Sequence, residues 1–417
     1  MNLSAQVTLS LLSILSVTSI MSFMSDQVWC ISECLLADSF ALVLVWSMIW
    51  VGVMMNVVPQ DNSFPYVFSS LLISFVFYLS PDWLMFFIWF EVGMIPMFML
   101  IVSHSSSAER MSASTFLFMY TTVASFPLLL FILSLKSELG SSSMFISLLP
   151  PLAGSCLLGC LAWTSFLVKL PLFAVHTWLL KAHVEAPVLG SMFLAGILLK
   201  FGGMGAFRLL GMSDQPVVIS TLITSFCLWG CAISAILASS SPDVKMAVAY
   251  ASVSHMNLSL AIGLSNSYQG LSSFLYSMVA HSFSSCLLFY SVTRCYEVVN
   301  SRSTVLLKGA MANSILGAYS GVVVWFMNLN IPPFMGLWGE LWGFMVISKV
   351  IPLAIMSLFT YFVWSSVYSV VLFISQFHAK SKTSKLPCLS TDYYIQHLAG
   401  TAPMVVGFVS ISVMEIS

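Results

Sequence analysis

The 417-residue sequence has very few charged side chains. Asp, Glu, Lys and Arg together make up 7% of it, against about 25% in an ordinary soluble domain. So few charges cannot cover the surface of a water-soluble globule, and 59% of the residues are apolar. The net charge of −1 offers no basic surface for nucleic acid. The composition therefore predicts an integral membrane protein that is surrounded by membrane lipids and has no nucleic-acid partner.

The sequence also lacks the motifs that usually hold metals or redox cofactors. Its nine cysteines include no Cys-x-x-Cys pair. Cysteines at 156 and 160 and at 227 and 231 lie in apolar helical runs, where free cysteine packs as a small apolar side chain. No Gly-x-Gly-x-x-Gly fingerprint follows a predicted strand. We therefore predict no metal, flavin, iron–sulfur cluster or nucleotide site in this chain.

Long apolar runs fill most of the chain. Division of these runs at polar residues and at Pro or Gly predicts about 13 transmembrane helices of about 20 residues each. Residues 2–24 lack a basic n-region, so we expect a first span there rather than a cleaved signal. The predicted fold class is an all-α polytopic membrane protein, with residues 1–417 in a single integral membrane domain. The predicted spans are 2–24, 39–58, 64–80, 83–103, 113–135, 154–175, 187–209, 216–238, 246–264, 271–295, 315–346, 352–376 and 398–415.

Four ionisable residues lie inside predicted spans: Glu91, Lys169, Lys200 and Glu340. A charge at the centre of a bilayer costs about 2.5–3.5 kcal/mol on insertion scales, so such residues usually face a polar interior and have partners. Their default interpretation is an ion or proton pathway. Structural pairs, or side chains that reach the membrane interface, are the alternative.

Three histidines accompany these charges. His176 follows Lys169 by seven residues, so both would lie on one face of an unbroken helix. His255 and His281 lie inside predicted spans. A neutral imidazole has both a donor and an acceptor, which suits a proton relay; a core histidine bonded to a backbone carbonyl is the alternative. The other four histidines, at loops or span ends, are predicted to be ordinary: His104, His183, His378 and His397.

Prolines interrupt two of the charged spans. Pro171 follows Lys169 by two residues, and Pro332-Pro333 precede Glu340. Proline removes a backbone donor and frees carbonyl groups, which produces polar backbone at membrane depth. Interrupted segments at corresponding positions of two halves indicate a transporter site, and these two lie five spans apart, as a repeat of five helices would place them.

Four stretches carry a resemblance to a known family. The longest is KLPLFAVHTWLLKAHVEAPVLGSMFLAGILLKFGGMGAFR at 169–208. The others are FFIWFEVGMIP at 86–96, DVKMAVAYASVSHM at 243–256 and NIPPFMGLWGE at 330–340. In this order they resemble the antiporter-like membrane subunits of respiratory complex I, over roughly residues 80 to 376.

The resemblance implies a fold of two inverted five-helix repeats, each with one discontinuous helix. We assign the repeats to 64–209 and 216–376, with flanking helices in 1–58 and 398–417. Members of the family usually have fourteen helices, four of them before the glutamate helix. This sequence has three predicted spans before Glu91, so one N-terminal span is predicted to be lost or fused.

The resemblance also implies a function, that of a proton-translocating subunit of a respiratory NADH:ubiquinone oxidoreductase in the mitochondrial inner membrane. NADH, FMN, iron–sulfur clusters and ubiquinone would be bound by other subunits, and neighbouring antiporter-like subunits would be partners. By matching motifs, Glu91 would pair with Lys169, Lys200 would lie at the centre, and Glu340 would be the terminal acid. His176, His255 and His281 would relay protons between them. A subunit of a sodium/proton antiporter of the same superfamily is the alternative.

Overall fold

The structure is a computed structural model that describes residues 29–32, 35–57, 63–105, 107–144, 156–212, 217–309, 315–377 and 401–408. The predicted first span at 2–24, most of the last predicted span, His378 and His397 lie outside these residues. A short antiparallel pair of strands, β1 (Trp29–Ser32) and β2 (Leu35–Ala37), precedes the first described helix. The sequence analysis predicted no strand in this segment.

Helices make up nearly all the remaining described residues. In the first half they are α1 (Ser39–Val57), α2 (Phe64–Tyr78), α3 (Trp83–Val92), α4 (Met94–His104), α5 (Arg110–Leu139), α6 (Cys156–Lys169), α7 (Thr177–Glu185), α8 (Val188–Phe193) and α9 (Leu199–Met212). In the second half they are α10 (Val217–Ser240), α11 (Val244–Gly263), α12 (Tyr268–Val299), α13 (Ile315–Asn328), α14 (Gly336–Val350) and α15 (Ile355–Phe377). Residues 401–408 are also helical. The predicted all-α polytopic fold is confirmed.

Within the described ranges, 6 helical segments are long and apolar enough to cross a membrane. They are Trp83–His104, Arg110–Glu138, Val188–Gly211, Ile219–Ser240, Tyr268–Glu297 and Ile355–Phe377. Two other predicted spans, 154–175 and 315–346, are divided by a break into shorter helical pieces. The predicted span 315–346, for example, consists of α13 and α14, with 14 and 15 residues. Large apolar side chains such as Phe126 on α5 and Met356 on α15 point outward, as expected of helices that face lipid.

The two halves share a backbone motif. Ser-Pro-Asp immediately precedes both α3 and α11, at 80–82 and at 241–243. Asp82 forms an antiparallel bridge with Ser143, and Asp243 forms the same kind of bridge with Ser303. Each bridge fixes the start of one helix against the loop that follows the long helix of its own half. Asp82 and Asp243 lie 161 residues apart, which indicates that the two halves repeat one another.

The proline breaks have the same spacing. Leu170-Pro171 follows the end of α6, and Ile331-Pro332 follows the end of α13, again 161 residues later. Proline cannot donate the hydrogen bond that would continue the helix. The predicted discontinuous helices are therefore confirmed, and the matching breaks and bridges support the predicted repeats. The boundaries 64–209 and 216–376 stay predictions.

Arg208 near the end of α9 joins three elements of the first half. Its guanidinium Nε donates to Asp38 Oδ2 at 3.2 Å, just before α1. Its two terminal nitrogens donate to the carbonyl oxygens of Ser80 at 3.1 Å and Tyr78 at 3.0 Å. Since Arg208 is only 8% exposed, water cannot replace these acceptors, and the cluster holds α9 against α1 and the end of α2.

We expect Arg208→Met to destabilise the protein by about 3–5 kcal/mol, because removal of one member of a buried ion pair leaves the other charge uncompensated. The measurement is the thermal unfolding midpoint of the purified protein in its native assembly, together with the amount assembled. Arg294→Met is the matched control. Arg294 pairs with Glu297, which is half exposed, and exposed pairs contribute about 0.2–1 kcal/mol. Equal losses in both variants would contradict the assigned role.

Candidate functional site

Lys169 is buried at the C-terminal end of α6. Its ammonium Nζ donates to the backbone carbonyl of Phe90 at 2.7 Å and lies 3.0 Å from the centroid of the Phe90 ring. Glu91, the next residue on α3, is the charged group whose field acts on Lys169. The two side chains do not form a direct ion pair in the described structure, and Glu91 Oε1 is buried without a hydrogen-bond partner there. The two members of the predicted pair are therefore not in direct contact.

Lys169 and His176 would share one face only on an unbroken helix, and the predicted break at Pro171 separates them. Lys169 ends α6, a 3₁₀ turn spans Phe173–Val175, and His176 immediately precedes α7. The His176 ring bonds to the Phe173 carbonyl through Nδ1 and stacks on the Phe173 ring. Pro171 causes the break because it lacks the amide hydrogen of a continuing helix.

The carbonyl groups near this break are satisfied by side chains. Asn257 Nδ2 on α11 donates to the Pro171 oxygen at 3.0 Å, and Trp178 Nε1 on α7 donates to the Val168 oxygen at 3.1 Å. Such partners are what permits an interrupted helix at membrane depth. The break therefore ties the end of α6 to α11, two residues from His255.

Lys200 lies directly after a π-helical turn, Leu194–Leu198, that joins α8 to α9. Its ammonium Nζ donates to the Ala195 carbonyl at 2.6 Å and lies 3.0 Å from His281 Nδ1 on α12. Lys200 is 1% exposed, so these two groups replace its hydration. π-Turns inside α-helices are frequent at functional sites, and this one places a carbonyl beside the amine.

His281 and His255 continue from Lys200 toward α14. Their ring centroids are 6.1 Å apart. The cavity beside them is also lined by Glu340, Asn330 and three serines. The centre of a water molecule can occupy about 10 Å³ of this cavity. This volume is close to the lower limit for holding one water. The two rings are therefore near enough for one water molecule to connect them.

Glu340 lies one turn into α14, after the second break. Its Oε1 atom accepts from Asn330 Nδ2 at 2.8 Å and from the Tyr361 hydroxyl on α15 at 3.0 Å. His255 Nδ1 is 3.6 Å from the same oxygen. The Asn330 backbone has a positive φ of 53°, a conformation that asparagine tolerates better than most residues, and this turn brings its amide back to Glu340.

A second, larger cavity adjoins Glu340. It has a volume of about 180 Å³ and is lined by His255, Glu340, Tyr361, Ser365 and Ser366, together with Asn328, Leu329, Ile331 and Phe362. Phe362 and Ile331 are also exposed on the outside of the chain. Glu340 therefore lines both the small cavity beside His281 and a larger one whose lining includes residues exposed on the outside of the chain.

The structure brings four predicted residues into one buried group, which we call the central axis: Lys200, His281, His255 and Glu340. It places Glu91 and Lys169 in a separate group. Phe201, the residue after Lys200 in the chain, reaches this second group, with its ring centroid 5.9 Å from Lys169 Nζ. Gly202 allows close packing here, because a Cβ atom at this position would lie 2.9 Å from the backbone nitrogen of Leu170. His176 contacts neither group directly.

Several polar residues of the site were missed by the sequence analysis. Tyr361 and Tyr368 both approach His255, at 3.0 Å and 3.4 Å from its two ring nitrogens. Their spacing of seven residues places both on one face of α15, but tyrosine is common in apolar helices, so the pattern alone is weak. His183, predicted to be ordinary, is completely buried with its ring stacked on Phe289, and neither ring nitrogen has a hydrogen-bond partner among the described residues.

Chemically, the site can hold and pass protons. Amine, imidazole, hydroxyl and carboxyl groups follow one another within a core from which bulk water is largely excluded. In such a setting the charge of each group acts strongly on its neighbours, because little water screens it. Among the described residues, no group of three or more His, Cys, Asp or Glu side chains could hold a metal ion.

Comparison with known proteins gives a consistent result. Residues 80–376 match the family model described as NADH:quinone oxidoreductase/Mrp antiporter, transmembrane. The chain is 34% identical over 367 residues to NADH-ubiquinone oxidoreductase chain 4 of Lumbricus terrestris, covering 83% of this chain and 80% of that one. It is 38% identical over 293 residues to the chain of the same name from Tetraodon nigroviridis, covering 66% and 62%.

Solved structures share the fold. A chain of respiratory complex I from Thermus thermophilus with bound NADH aligns with a TM-score of 0.81 at 19% identity, covering 96% of this chain and 89% of that one. A chain of the membrane-bound sulfane sulfur reductase, an archaeal respiratory membrane complex, aligns with a TM-score of 0.79 at 17% identity, covering 97% and 71%. At these identities the likeness concerns the fold alone.

Proposed function

Because the chain belongs to the NADH:quinone oxidoreductase/Mrp antiporter transmembrane family, we propose that it is a proton-translocating membrane subunit of a respiratory NADH:ubiquinone oxidoreductase. Its location would be the mitochondrial inner membrane, with neighbouring antiporter-like subunits as partners. The observation that carries the proposal is the central axis, where four groups able to bind protons lie in one buried row. A purely structural membrane protein would gain nothing from charged side chains whose insertion into the membrane costs free energy.

In this proposal the redox chemistry takes place in other subunits. NADH, FMN, the iron–sulfur clusters and ubiquinone are bound there, and this chain contributes only proton-carrying groups. The sequence supports this division, since it has neither the cysteine spacing of a cluster site nor a dinucleotide fingerprint. Electron transfer would act on this chain through a change of charge near its first half.

The proposed sequence of events begins at Glu91 and Lys169. A change in the ionisation of Glu91 alters the proton affinity of Lys169 through their electrostatic coupling. The altered charge of Lys169 acts on Lys200 across Phe201, and His176 takes part in this first half. Lys200 exchanges a proton with His281, with which it is in contact. The proton continues through His255 to Glu340 and leaves toward the larger cavity.

The test is purification of the native assembly that contains this chain. We expect the chain to co-migrate with flavin, iron–sulfur clusters and NADH:ubiquinone reductase activity. After reconstitution into sodium-free vesicles, addition of NADH should drive proton movement across the membrane. Sodium-dependent proton exchange without any need for NADH would overturn the proposal and identify an antiporter subunit instead.

A further inference from the structure

Tyr361 on α15 lies between two members of the central axis, and we propose that its hydroxyl carries the proton from His255 to Glu340. The inference rests on the proposed function and adds a residue that the motifs of the sequence do not include. Tyr361 is 1% exposed, so its hydroxyl group exchanges hydrogen bonds with the protein rather than with bulk water.

The distances favour a path through Tyr361 over a direct one. His255 Nδ1 and Glu340 Oε1 are 3.6 Å apart, which is too far for a hydrogen bond. The Tyr361 oxygen lies 3.0 Å from His255 Nδ1 and 3.0 Å from Glu340 Oε1, both within hydrogen-bond range. The hydroxyl therefore completes a continuous chain of hydrogen bonds that the imidazole and the carboxyl group do not form by themselves.

A second tyrosine sets the direction of this chain. Asn328 Nδ2 donates to the Tyr368 hydroxyl oxygen at 3.2 Å, and the same oxygen lies 3.4 Å from His255 Nε2. When His255 is protonated, both of its ring nitrogens donate, and Nε2 donates to the Tyr368 oxygen. Nδ1 then donates to Tyr361, and Tyr361 donates to Glu340. Tyr368 and Asn328 are thus positioning residues.

The transfer itself balances without any other reactant. When His255 is protonated and Glu340 is ionised, the Nδ1–H bond of His255 breaks as a new O–H bond forms on Tyr361. The original hydroxyl hydrogen of Tyr361 moves to Glu340 Oε1. The products are a neutral imidazole, an unchanged tyrosine and a neutral carboxylic acid. The hydrogen that stays on the imidazole is on Nε2. After the proton leaves Glu340, rotation of the Tyr361 hydroxyl toward Oε1 and return of a proton to His255 Nδ1 restore the starting arrangement.

Tyr361→Phe tests the proposal because it removes only the hydroxyl oxygen. The variant is measured in the complete complex in vesicles, as protons moved per NADH oxidised. We expect the Tyr361→Phe variant to lose most of the proton movement that Lys200→Met loses. This subunit's share of the proton movement should fall about tenfold or more, since positioned proton-transfer groups typically contribute 10²–10⁴-fold. Tyr361→His, which restores a donor and an acceptor, should recover part of the loss.

Tyr290→Phe is the matched control. Tyr290 is also buried, and its hydroxyl bonds to Arg294 Nη2 at 3.2 Å, away from the central axis. This variant should pump as the unsubstituted complex does.

If Lys200→Met and Glu340→Gln pump normally, the proposed function is wrong. If those two fail while Tyr361→Phe pumps normally, only the role of Tyr361 is wrong.

Infrared difference spectroscopy decides the matter if the Tyr361→Phe complex does not assemble. The carboxylic C=O band of Glu340 is identified in the unsubstituted complex by its loss in Glu340→Gln. We expect a tyrosine band to change at the same time as this band during turnover. A Glu340 band that changes without any change in a tyrosine band would overturn the proposal.

Discussion

Replacement of Lys200 by methionine is expected to abolish the proton movement that this subunit contributes, by about a hundredfold or more, as removal of a positioned proton-transfer group does. Methionine has a similar length but no proton to exchange, so His281 Nδ1 loses the ammonium group 3.0 Å away. The side chain is buried, and an uncharged residue should pack there without loss of assembly. The measurement is the ratio of protons moved to NADH oxidised in reconstituted vesicles.

Lys349→Met is the control for this substitution. Lys349 is in the last turn of α14 and exposed, so the same chemical change there removes a charge outside the central axis. We expect assembly and pumping to remain normal. A Lys200→Met complex that assembles fully and retains its normal proton-to-electron ratio would contradict the role of Lys200 in the central axis.

Glu340→Gln is expected to have an effect of similar size while leaving the surrounding structure intact. A glutamine oxygen can still accept from Asn330 and Tyr361, the two donors that Glu340 Oε1 has now. The amide cannot take up a proton, so transfer should stop at this position, with a loss of about 10²-fold or more. The measurement is again NADH-driven proton movement, with the amount of assembled complex determined on the same sample.

Two comparisons separate loss of the proton site from loss of structure. Glu340→Ala also removes the acceptor of two buried donors, which costs about 1–3 kcal/mol for each unsatisfied group, and should therefore lower assembly as well as pumping. Glu297→Gln changes a half-exposed carboxylate in a surface pair with Arg294 and should have no measurable effect. Normal pumping by Glu340→Gln would show that the proton leaves by another route.

The residues of the central axis could be found in the sequence, but not their arrangement. Lys200 and Glu340 stand out because charge is rare in apolar spans, and prolines mark both breaks because they cannot continue a helix. The motif Ser-Pro-Asp at 80–82 and 241–243 recurs at the spacing of these breaks. Only the tertiary structure shows that each aspartate forms a backbone bridge with a distant loop.

Other features depend on contacts between distant parts of the chain. Tyr361 is 106 residues from His255 and Lys200 is 81 residues from His281, so no local pattern links them. The position of His176 relative to Lys169 could not be read from periodicity, because periodicity holds only while the helix continues and Pro171 ends it. His183 was judged from its place near a predicted span end, whereas burial by surrounding helices decides its environment.

The sequence by itself determined that lipid surrounds the protein, that its fold is all-α, and where its helices break. These properties follow from composition and from backbone chemistry, which act within a few residues. Long apolar stretches are stable in lipid, and a backbone in lipid must form its hydrogen bonds internally. Proline ends a helix because it lacks the backbone donor. Only the tertiary structure decided which proton-binding groups touch. Helices far apart in sequence meet through packing, and packing placed the Tyr361 hydroxyl between an imidazole and a carboxyl group that do not reach one another.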